Sequence, residues 1–385
     1  MRIRLASTVL AIAAAAVLAG PALAQETIKI GVTEPLTGAF AASGNYVTQG
    51  ARLAEEEINK SGGVLGKKIQ LVVEDNKSNP TEAVATAEKL INSDKVPVMM
   101  GAWSSTLTLA VMPKLEEYKV PMLVETSSSG KITTSGNPYV FRISPTSEME
   151  ARAFGPFFKK LGIKKADFLA TNNDFGIGAS QAFAETAKKE GVNVGVVETM
   201  DPKATDFSAQ LAKIKASGAD TLFVTTAVEQ VTLILKQAND LQLKTRIITT
   251  GGSTSPDQLI EQAGAAANGS MHTVFFTPWF PDAVKNPDVA KKFVALWNEK
   301  KYNVGGLTEG FRGFDAVYVA VAAIKAAGKA EPEAIRQALW NVHVKGVYGD
   351  IAFTKQGPAG KESGQNIPSV YLVTIKDGKV QKTSF

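Results

Sequence analysis

The sequence of 385 residues contains no cysteine and only two histidines. Without cysteine the chain can form no disulfide framework and has no thiol nucleophile. His272 follows Met271 just before an apolar run, and His343 lies between two valines. Both are therefore expected to be structural or surface residues. Because no Gly-x-Ser-x-Gly elbow and no phosphate loop occurs either, we expect no enzymatic activity and no metal site.

Long hydrophobic runs are confined to the N-terminus. Arg2 and Arg4 precede an apolar stretch over residues 5–19, and Ala22-Leu23-Ala24 supplies small residues for cleavage. This pattern is typical of a secretory signal peptide over residues 1–24, removed after Ala24. No cysteine follows it that could carry a lipid, and no later run predicts a membrane span. We therefore expect a protein released into the periplasm.

A large excess of one charge sign is also missing, and the basic excess is mild. The chain has 42 Lys and Arg against 37 Asp and Glu, and basic pairs such as Lys159-Lys160 are scattered along it. Such pairs are typical of solvated helix faces and form no basic stripe, so we expect no nucleic-acid partner. With 44% hydrophobic and 21% charged residues, the composition is that of a globular protein.

The pattern that is present alternates apolar, β-rich runs with amphipathic helical segments, which predicts α/β architecture with parallel sheets. A strong helix start at Asn79-Pro80-Thr81-Glu82 supports it, with a capping residue, a proline at the first helical position and an early carboxylate. The predicted strands are 27–32, 68–74, 96–100, 120–124, 166–171, 192–199, 221–225, 245–250, 348–353 and 369–376. The length after Ala24 favours two lobes over one ordinary domain.

Two changes of pattern indicate where the chain leaves one lobe for the other. Pro145 interrupts the first alternation, and Thr277-Pro278-Trp279-Phe280-Pro281 ends the second. We therefore predict a first lobe from residues 25–145 and 277–351, and a second lobe from residues 146–276 and 352–385.

Two hydroxyl-rich turns stand out as a candidate site. Each follows an apolar strand, and a strand that ends in such a turn before a helix presents hydroxyls and free backbone N–H groups to one point. The turns predict a grip for a small anion such as a carboxylate. They comprise Trp103, Ser104, Ser105 and Thr106 in the first, and Thr126, Ser127 and Ser128 in the second.

Several short segments, which follow one another in order over about 350 residues, resemble those of a known family. These segments are 30–38 (IGVTEPLTG), 62–68 (GGVLGKK), 73–75 (VED), 175–178 (FGIG), 206–208 (DFS) and 236–238 (KQA). With them the chain resembles the leucine/isoleucine/valine-binding-type periplasmic proteins of ABC importers. The resemblance implies the type I fold: two Rossmann-like lobes, a three-strand hinge near residues 145, 277 and 351, and a ligand in the cleft between them.

The resemblance also implies roles for individual residues. Matching positions that hold a ligand carboxylate in the family are Ser105, Thr126, Ser127 and Ser128. Phe175 corresponds to an aromatic wall position of the second lobe, Ala227 falls near another, and Trp103 could stack on the ligand. The Gly176-Ile177-Gly178 run lacks the third glycine of a dinucleotide fingerprint, so no cofactor is expected.

One departure from the family pattern concerns the ligand's ammonium group. Family members that bind amino acids carry an acidic residue after the strand matching residues 246–250, where this chain has Gly251-Gly252-Ser253. A buried ammonium without a counter-charge is costly, so another acid must compensate or the ligand lacks the ammonium. The candidates for compensation are Glu125, Asp174, Glu229 and Glu309.

Several ligands and roles therefore remain open. The resemblance favours a branched-chain or other hydrophobic amino acid, captured by lobe closure and delivered to an inner-membrane permease with its ATPase. The alternatives are an aromatic or aliphatic organic acid without an amino group, urea or a short amide, or a sensing role toward a membrane receptor. A protein that opens and closes freely is expected to be a monomer.

Overall fold

The computed structural model describes residues 27–252 and 254–383. The predicted signal peptide over residues 1–24 and its cleavage site lie outside these ranges, as does Ser253. Within them no helix is both long and apolar enough to cross a bilayer. The described chain forms two α/β lobes, each on a seven-stranded sheet. The predicted fold class is thereby confirmed.

The first lobe is built on a sheet that is parallel except at one edge. Its strands are β1 Thr27–Glu34, β2 Lys68–Asp75, β3 Met99–Gly101, β4 Met122–Val124, β5 Val140–Arg142, β13 Thr354–Gln356 and β14 Ser363–Gln365. Their order is β13-β14-β5-β4-β3-β1-β2, and only β13 runs antiparallel to its neighbour. Parallel neighbours need crossover connections, which the helices provide.

The helices of the first lobe come from two parts of the chain. They are α1 Ala41–Lys60, α2 Pro80–Asn92, α3 Ser105–Tyr118 and α4 Lys131–Thr134, followed later by α10 Pro287–Glu299, α11 Leu307–Ala327 and α12 Pro332–Leu339. Helix α2 begins as predicted, because the Asn79 side chain accepts from the N–H groups of Thr81 and Glu82. The long helices α1 and α11 pack directly against each other.

The second lobe repeats the architecture. Its strands are β6 Lys165–Thr171, β7 Asn193–Met200, β8 Thr221–Thr225, β9 Arg246–Thr249, β10 Met271–Val274, β15 Tyr371–Lys376 and β16 Lys379–Lys382, in the order β16-β15-β10-β9-β8-β6-β7. Its helices are α5 Ser147–Lys160, α6 Asp174–Lys189, α7 Ser208–Ser217, α8 Val228–Asp240 and α9 Pro256–Ala263. A separate antiparallel pair is formed by β11 Val344–Gly346 and β12 Gly349–Ile351.

Each lobe has its own hydrophobic core. In the first lobe, residues of β1 pack with residues of the late helices α10 and α11, so the two parts of the chain share one core. In the second lobe, buried phenylalanines pack around Phe223, including Phe154, Phe158 and Phe183. The burial of separate apolar clusters makes each lobe a stable unit and leaves the cleft between them for function.

The chain passes between the sheets three times, and the last passage corrects a prediction. The first passage, between β5 and β6, includes residue 145, and the second follows β10. The third lies between Gln365 and Tyr371, not near residue 351, so the assignment of 352–385 to the second lobe is wrong for residues 354–365. These residues form β13 and β14, because β14 pairs with β5 at the edge of the first sheet.

The structure differs from the sequence-based strands elsewhere too, since β10, β11, β13, β14 and β16 were not among those predicted. His272 lies within β10 instead of before it, and it is fully buried. The short strand Val140–Arg142 was not among the predicted strands, although it separates β4 from β14 in the first sheet. Three-residue strands carry too few residues for alternation to be recognised.

Candidate functional site

The first hydroxyl turn connects β3 to α3. Trp103 has a left-handed backbone with φ of 64°, which reverses the chain just before the helix. Ser104 is the N-cap residue of α3, but its side chain makes no capping hydrogen bond. The N–H groups at the start of this helix therefore have no side-chain cap and are available to an anion.

The second hydroxyl turn, Thr126–Ser129 after β4, is joined to the first by hydrogen bonds. The Ser127 hydroxyl donates to the Trp103 carbonyl at 2.9 Å, and the Ser129 N–H donates to Ser105 Oγ at 3.1 Å. Ser127 Oγ also lies 2.8 Å from Thr108 Oγ1. The two turns form one rigid unit, and the Ser127 hydroxyl is used mainly to build it.

A cavity lies between this unit and the second lobe. Eight of the eleven predicted site residues line it: Trp103, Ser104, Ser105, Thr126, Ser127, Ser128, Phe175 and Ala227. Because both lobes contribute to the lining, a small molecule bound here would be held between them.

Four lining residues were not among the predicted site residues: Phe40, Thr171, Asn173 and Thr226. Thr171 and Thr226 lie at or just after the carboxyl end of an apolar strand, which is the same signal that pointed to the serine turns. Asn173 accepts from the Gly176 N–H as the N-cap of α6, so its capping pattern could also have identified it. Phe40 has no such local signal, because only the fold brings the start of α1 to the cleft.

Aromatic side chains form the apolar part of the wall. The rings of Phe40 and Trp103 are stacked with centroids 4.9 Å apart and an interplanar angle of 30°. Trp103 is 6% exposed and faces the cavity across from Phe175 of the second lobe. A Cβ atom at Gly251 would overlap the Phe175 ring, so glycine at this position lets the ring lie against the loop.

Three predicted site residues do not line the cavity. Thr106 faces the other lobe, because successive helical residues point about 100° apart. Its hydroxyl donates to Asp174 Oδ2 at 3.1 Å. The Gly251 N–H donates to both carboxylate oxygens of Glu150, at 2.8 and 3.1 Å. Glu309 lies behind Trp103, whose indole N–H donates to it at 3.3 Å.

A buried charged network supports Trp103 from behind. Glu309 forms an ion pair with Arg312 at 3.3 Å, and both side chains are almost fully buried. Arg312 also donates to the hydroxyl of Tyr348 and to the Gly252 carbonyl in the second lobe. Burial raises the pKa of Glu309 to about 7, although the positive charge of Arg312 opposes the shift.

Two more buried carboxyl groups lie near this network. Glu34 and Glu125 are fully buried and lie close to each other. Burial and the mutual proximity of the two carboxyl groups raise the pKa of Glu34, and burial raises that of Glu125. A pair of this kind is expected to hold a shared proton.

None of the four acids considered for an ammonium lines the cavity. Glu125 and Glu309 belong to the buried groups just described, and Asp174 bonds Thr106 and Lys131 of the other lobe. Glu229, in the first turn of α8, is half-buried, and one of its carboxylate oxygens has no partner within the described residues. The cavity wall thus offers hydroxyls, backbone groups and aromatic rings without a carboxylate.

Neither histidine lines the cavity. His272 is held between Thr249 Oγ1 and Ser270 Oγ, each 2.8 Å from a ring nitrogen, and burial lowers its pKa to about 3. His343 is exposed. Over residues 27–252 and 254–383, no group of His, Asp and Glu side chains is arranged to hold a metal ion.

Comparisons with known proteins agree with this geometry. A family model described as periplasmic binding protein matches residues 27–379. The leucine-, isoleucine-, valine-, threonine-, and alanine-binding protein of Pseudomonas aeruginosa is 28% identical over 352 residues, covering 91% of this chain and 92% of that protein.

Two solved structures extend the similarity to the whole fold. A leucine-binding protein from Thermotoga maritima matches with a TM-score of 0.82 and 31% identity, covering 93% of this chain and 98% of that one. A solute-binding protein of an ABC transporter from R. palustris, solved with 4-hydroxybenzoate, matches with a TM-score of 0.80 and 27% identity, covering 94% and 96%. These relatives are solute-binding proteins and not enzymes. The chain belongs to the periplasmic binding protein family, as a type I member of the leucine/isoleucine/valine-binding type that serves ABC transport.

Proposed function

We propose that this protein captures a small hydrophobic carboxylic acid without an amino group and delivers it to an inner-membrane ABC permease with its ATPase. The observation that carries the proposal is the composition of the cavity wall. It combines hydroxyl groups and an uncapped helix N-terminus with aromatic rings, and it contains no acidic side chain.

The carboxylate would bind at the first-lobe side of the cavity. Ser104 and Ser105 line it there, and the N–H groups of the first turn of α3 have no side-chain cap. Charge-assisted hydrogen bonds of this kind contribute about 1.5 to 3 kcal/mol each once water is excluded. The partial positive charge of the helix N-terminus favours the anion further.

The apolar body of the ligand would lie between the aromatic rings of the two lobes. Phe40 and Trp103 from the first lobe and Phe175 from the second supply this surface. Planar or branched hydrophobic groups fit such a wall, and the R. palustris relative solved with 4-hydroxybenzoate gives a precedent for an aromatic acid. Aromatic side chains in a pocket stabilise a bound ligand mainly because they bury its apolar surface area.

A hydrophobic amino acid is the second candidate. It is favoured by the names of the P. aeruginosa and T. maritima relatives, which bind leucine and similar residues. Its ammonium group would then need Glu229 as its counter-charge. Glu229 follows closely after Ala227 in the sequence, and one of its carboxylate oxygens has no hydrogen-bond partner within the described residues. Urea and short amides have less support, because the Gly251 N–H is bonded to Glu150.

In this proposal the protein is exported, captures its ligand and docks on the permease. The chain would be cleaved after Ala24, released into the periplasm as a monomer and closed around its ligand by hinge motion at the three passages between the lobes. The closed form would dock on the permease.

Matched ligand pairs test the proposal directly. Residues 25–385 would be refolded to remove bound ligand and heated with leucine or 4-methylpentanoate, with phenylalanine or 3-phenylpropanoate, and with 4-hydroxybenzoate. A ligand present at about 100 times its Kd adds roughly 2.7 kcal/mol of stability, which raises the Tm measurably.

The outcomes separate the candidates. If the amino-free acids raise the Tm and the amino acids do not, the proposal holds. The reverse result replaces it with the amino-acid candidate, and no shift with any ligand rejects both. The double substitution of Ser104 and Ser105 by alanine should remove the shift, whereas Ser61→Ala on the exposed end of α1 should preserve it.

A further inference from the structure

Arg142, at the end of β5, is fully buried directly behind the second hydroxyl turn. Its guanidinium donates to the carbonyls of Ser129 at 2.6 Å and Ser127 at 3.3 Å. The other N–H groups donate to Thr133 Oγ1 at 2.6 Å and Gln365 Oε1 at 2.7 Å. The planar fork therefore fixes the backbone of the turn from the side opposite to the cavity.

All four acceptors of Arg142 are neutral. Within the described residues it forms no ion pair, whereas the other fully buried arginine, Arg312, is paired with Glu309. The exposed Glu148 acts on Arg142 only through space, from beside Gly130. Burial lowers the pKa of Arg142 to about 9, so the group stays cationic at neutral pH. The first lobe thus holds a positive charge without a bonded counter-charge.

The hydrogen bonds of Arg142 also determine where the turn's N–H groups point. In a trans peptide the C=O of one residue and the N–H of the next point in opposite directions. Because the Ser127 carbonyl faces Arg142, the Ser128 N–H points away from it, and Ser128 lines the cavity. This N–H makes no hydrogen bond within the described residues. By holding the Ser127 carbonyl, the guanidinium fixes the Ser128 N–H in an orientation in which it can donate to a ligand.

We propose that Arg142 is the residue that makes this site select a negatively charged ligand. Its charge acts across the turn on the bound carboxylate, which serves as its counter-ion, and its fork aims the Ser128 N–H at that carboxylate. Arg142 does not touch the ligand and is a positioning residue. The inference rests on the proposed function, because it assumes that a carboxylate binds at the hydroxyl turns.

The physical basis is the low dielectric constant of the lobe interior. A charge that is screened in water acts strongly through a single layer of packed backbone. Serine hydroxyls and backbone N–H groups by themselves bind neutral amides as well as carboxylates, since both present acceptor oxygens. An uncompensated cation behind the turn favours only the carboxylate. Discrimination between an acid and its amide is therefore the property that reports on Arg142.

The experiment compares acids with their amides by calorimetric titration. The pairs are leucine and leucinamide, 4-methylpentanoate and its amide, and 4-hydroxybenzoate and its amide, on the wild type and on Arg142→Gln. For the acid that the wild type binds, Arg142→Gln should weaken binding by roughly 10- to 50-fold. The Kd of the matched amide should change less than about threefold. Arg246→Gln is the control, because Arg246 also donates to neutral acceptors but lies in the second lobe.

A second pair of variants removes the charge effect without touching Arg142. Gln365→Glu keeps the bond from the guanidinium and makes its acceptor a carboxylate, whereas Gln365→Met removes that bond and adds no charge. Both variants lose the hydrogen bond that the Gln365 amide donates to the Ser144 carbonyl. Gln365→Glu should abolish the preference for the acid, and Gln365→Met should keep it. This pair decides the question even if Arg142→Gln does not fold.

The possible results separate the role of Arg142 from the proposed function. Equal weakening of acid and amide in Arg142→Gln, or equal preferences in the two Gln365 variants, would reduce Arg142 to a structural residue and leave the proposed function intact. If the wild type binds none of the acids better than its amide, both the role of Arg142 and the carboxylate ligand are rejected.

Discussion

At the scale of single residues, the first lobe concentrates ionisable groups where water is excluded. Glu309 and Arg312 form one pair, and Glu34 and Glu125 form another. Arg142 has no counter-ion among the residues that the structure describes. A buried ion pair such as Glu309–Arg312 contributes little to stability, because desolvation offsets the attraction between the two charges. Under the proposals above, these groups would hold the site and tune its charge from behind the cavity.

A pH dependence of stability follows from Glu150. This side chain is fully buried, and burial raises its pKa to about 7, although hydrogen bonds from Thr273 and the Gly251 N–H oppose the shift. The folded protein thus retains a proton that the unfolded chain releases above about pH 4.3. The free energy of unfolding should fall as pH rises from about 4.3 to 7, by roughly 3 kcal/mol for this group.

The measurement is urea unfolding between pH 4 and 8. Glu150→Gln should reduce the slope in this interval relative to the wild type, while the exposed Glu299→Gln should not. The comparison is needed because His272 contributes the opposite slope: its lowered pKa of about 3 means that stability is lost as pH falls below about 6.5. An unchanged slope in Glu150→Gln would contradict the prediction.

At the scale of elements, the first lobe depends on the close approach of α1 and α11. A Cβ atom at Gly50 of α1 would overlap the carbonyl oxygen of Gly310, and one at Gly313 of α11 would overlap the carbonyl oxygen of Val47. Glycine here is required for the helices to pack backbone to backbone. The contact joins the early and late parts of the first lobe into one core.

Gly50→Ala is therefore expected to lower the stability of the first lobe strongly, by about 2 to 4 kcal/mol, because the helices must separate or shift. Gly178→Ala is the matched control, since Gly178 is also helical but has open space around its Cβ position. That change should stabilise by about 0.5 to 1 kcal/mol. Thermal and urea unfolding measure both, and a Gly50→Ala variant as stable as the wild type would disprove the packing argument.

At the scale of the whole molecule, the two lobes are in contact through side chains on either side of the cavity. Asp174 of the second lobe accepts from Thr106 at 3.1 Å and from Lys131 at 3.2 Å, both in the first lobe. Arg312 reaches the Gly252 carbonyl across the same boundary. In the proposed closure of the lobes, such contacts would exist only in the closed state and would stabilise it without touching the ligand.

Asp174→Ala should accordingly weaken ligand binding by about 3- to 10-fold, because the exposed ion pair and one hydrogen bond contribute only modestly to closure. Glu185→Ala, an exposed acid on the same helix, is the control. Titration calorimetry gives the affinity, and small-angle X-ray scattering gives the radius of gyration with and without ligand. If Asp174→Ala binds and compacts like the wild type, the contact has no part in closure.

Much of the site could be predicted because its signals are local. The serine turns follow apolar strands in the sequence, and eight of the predicted residues do line the cavity. Thr106, Gly251 and Glu309 do not, because their side chains or backbone groups are used by Asp174, Glu150 and Trp103. These partners come from distant parts of the chain, so no local pattern could reveal them.

The sequence by itself determined the α/β alternation, the capped helix starts and the two hydroxyl turns, since hydrophobic periodicity and capping act between neighbours in the chain. Tertiary structure alone decided three other things. It paired Ser363–Gln365 with β5 in the first lobe, brought Phe40 to the cleft, and buried Arg142 behind the turn. Each depends on contacts between residues far apart in the sequence, whose free energy comes from burial and charge in the assembled lobes.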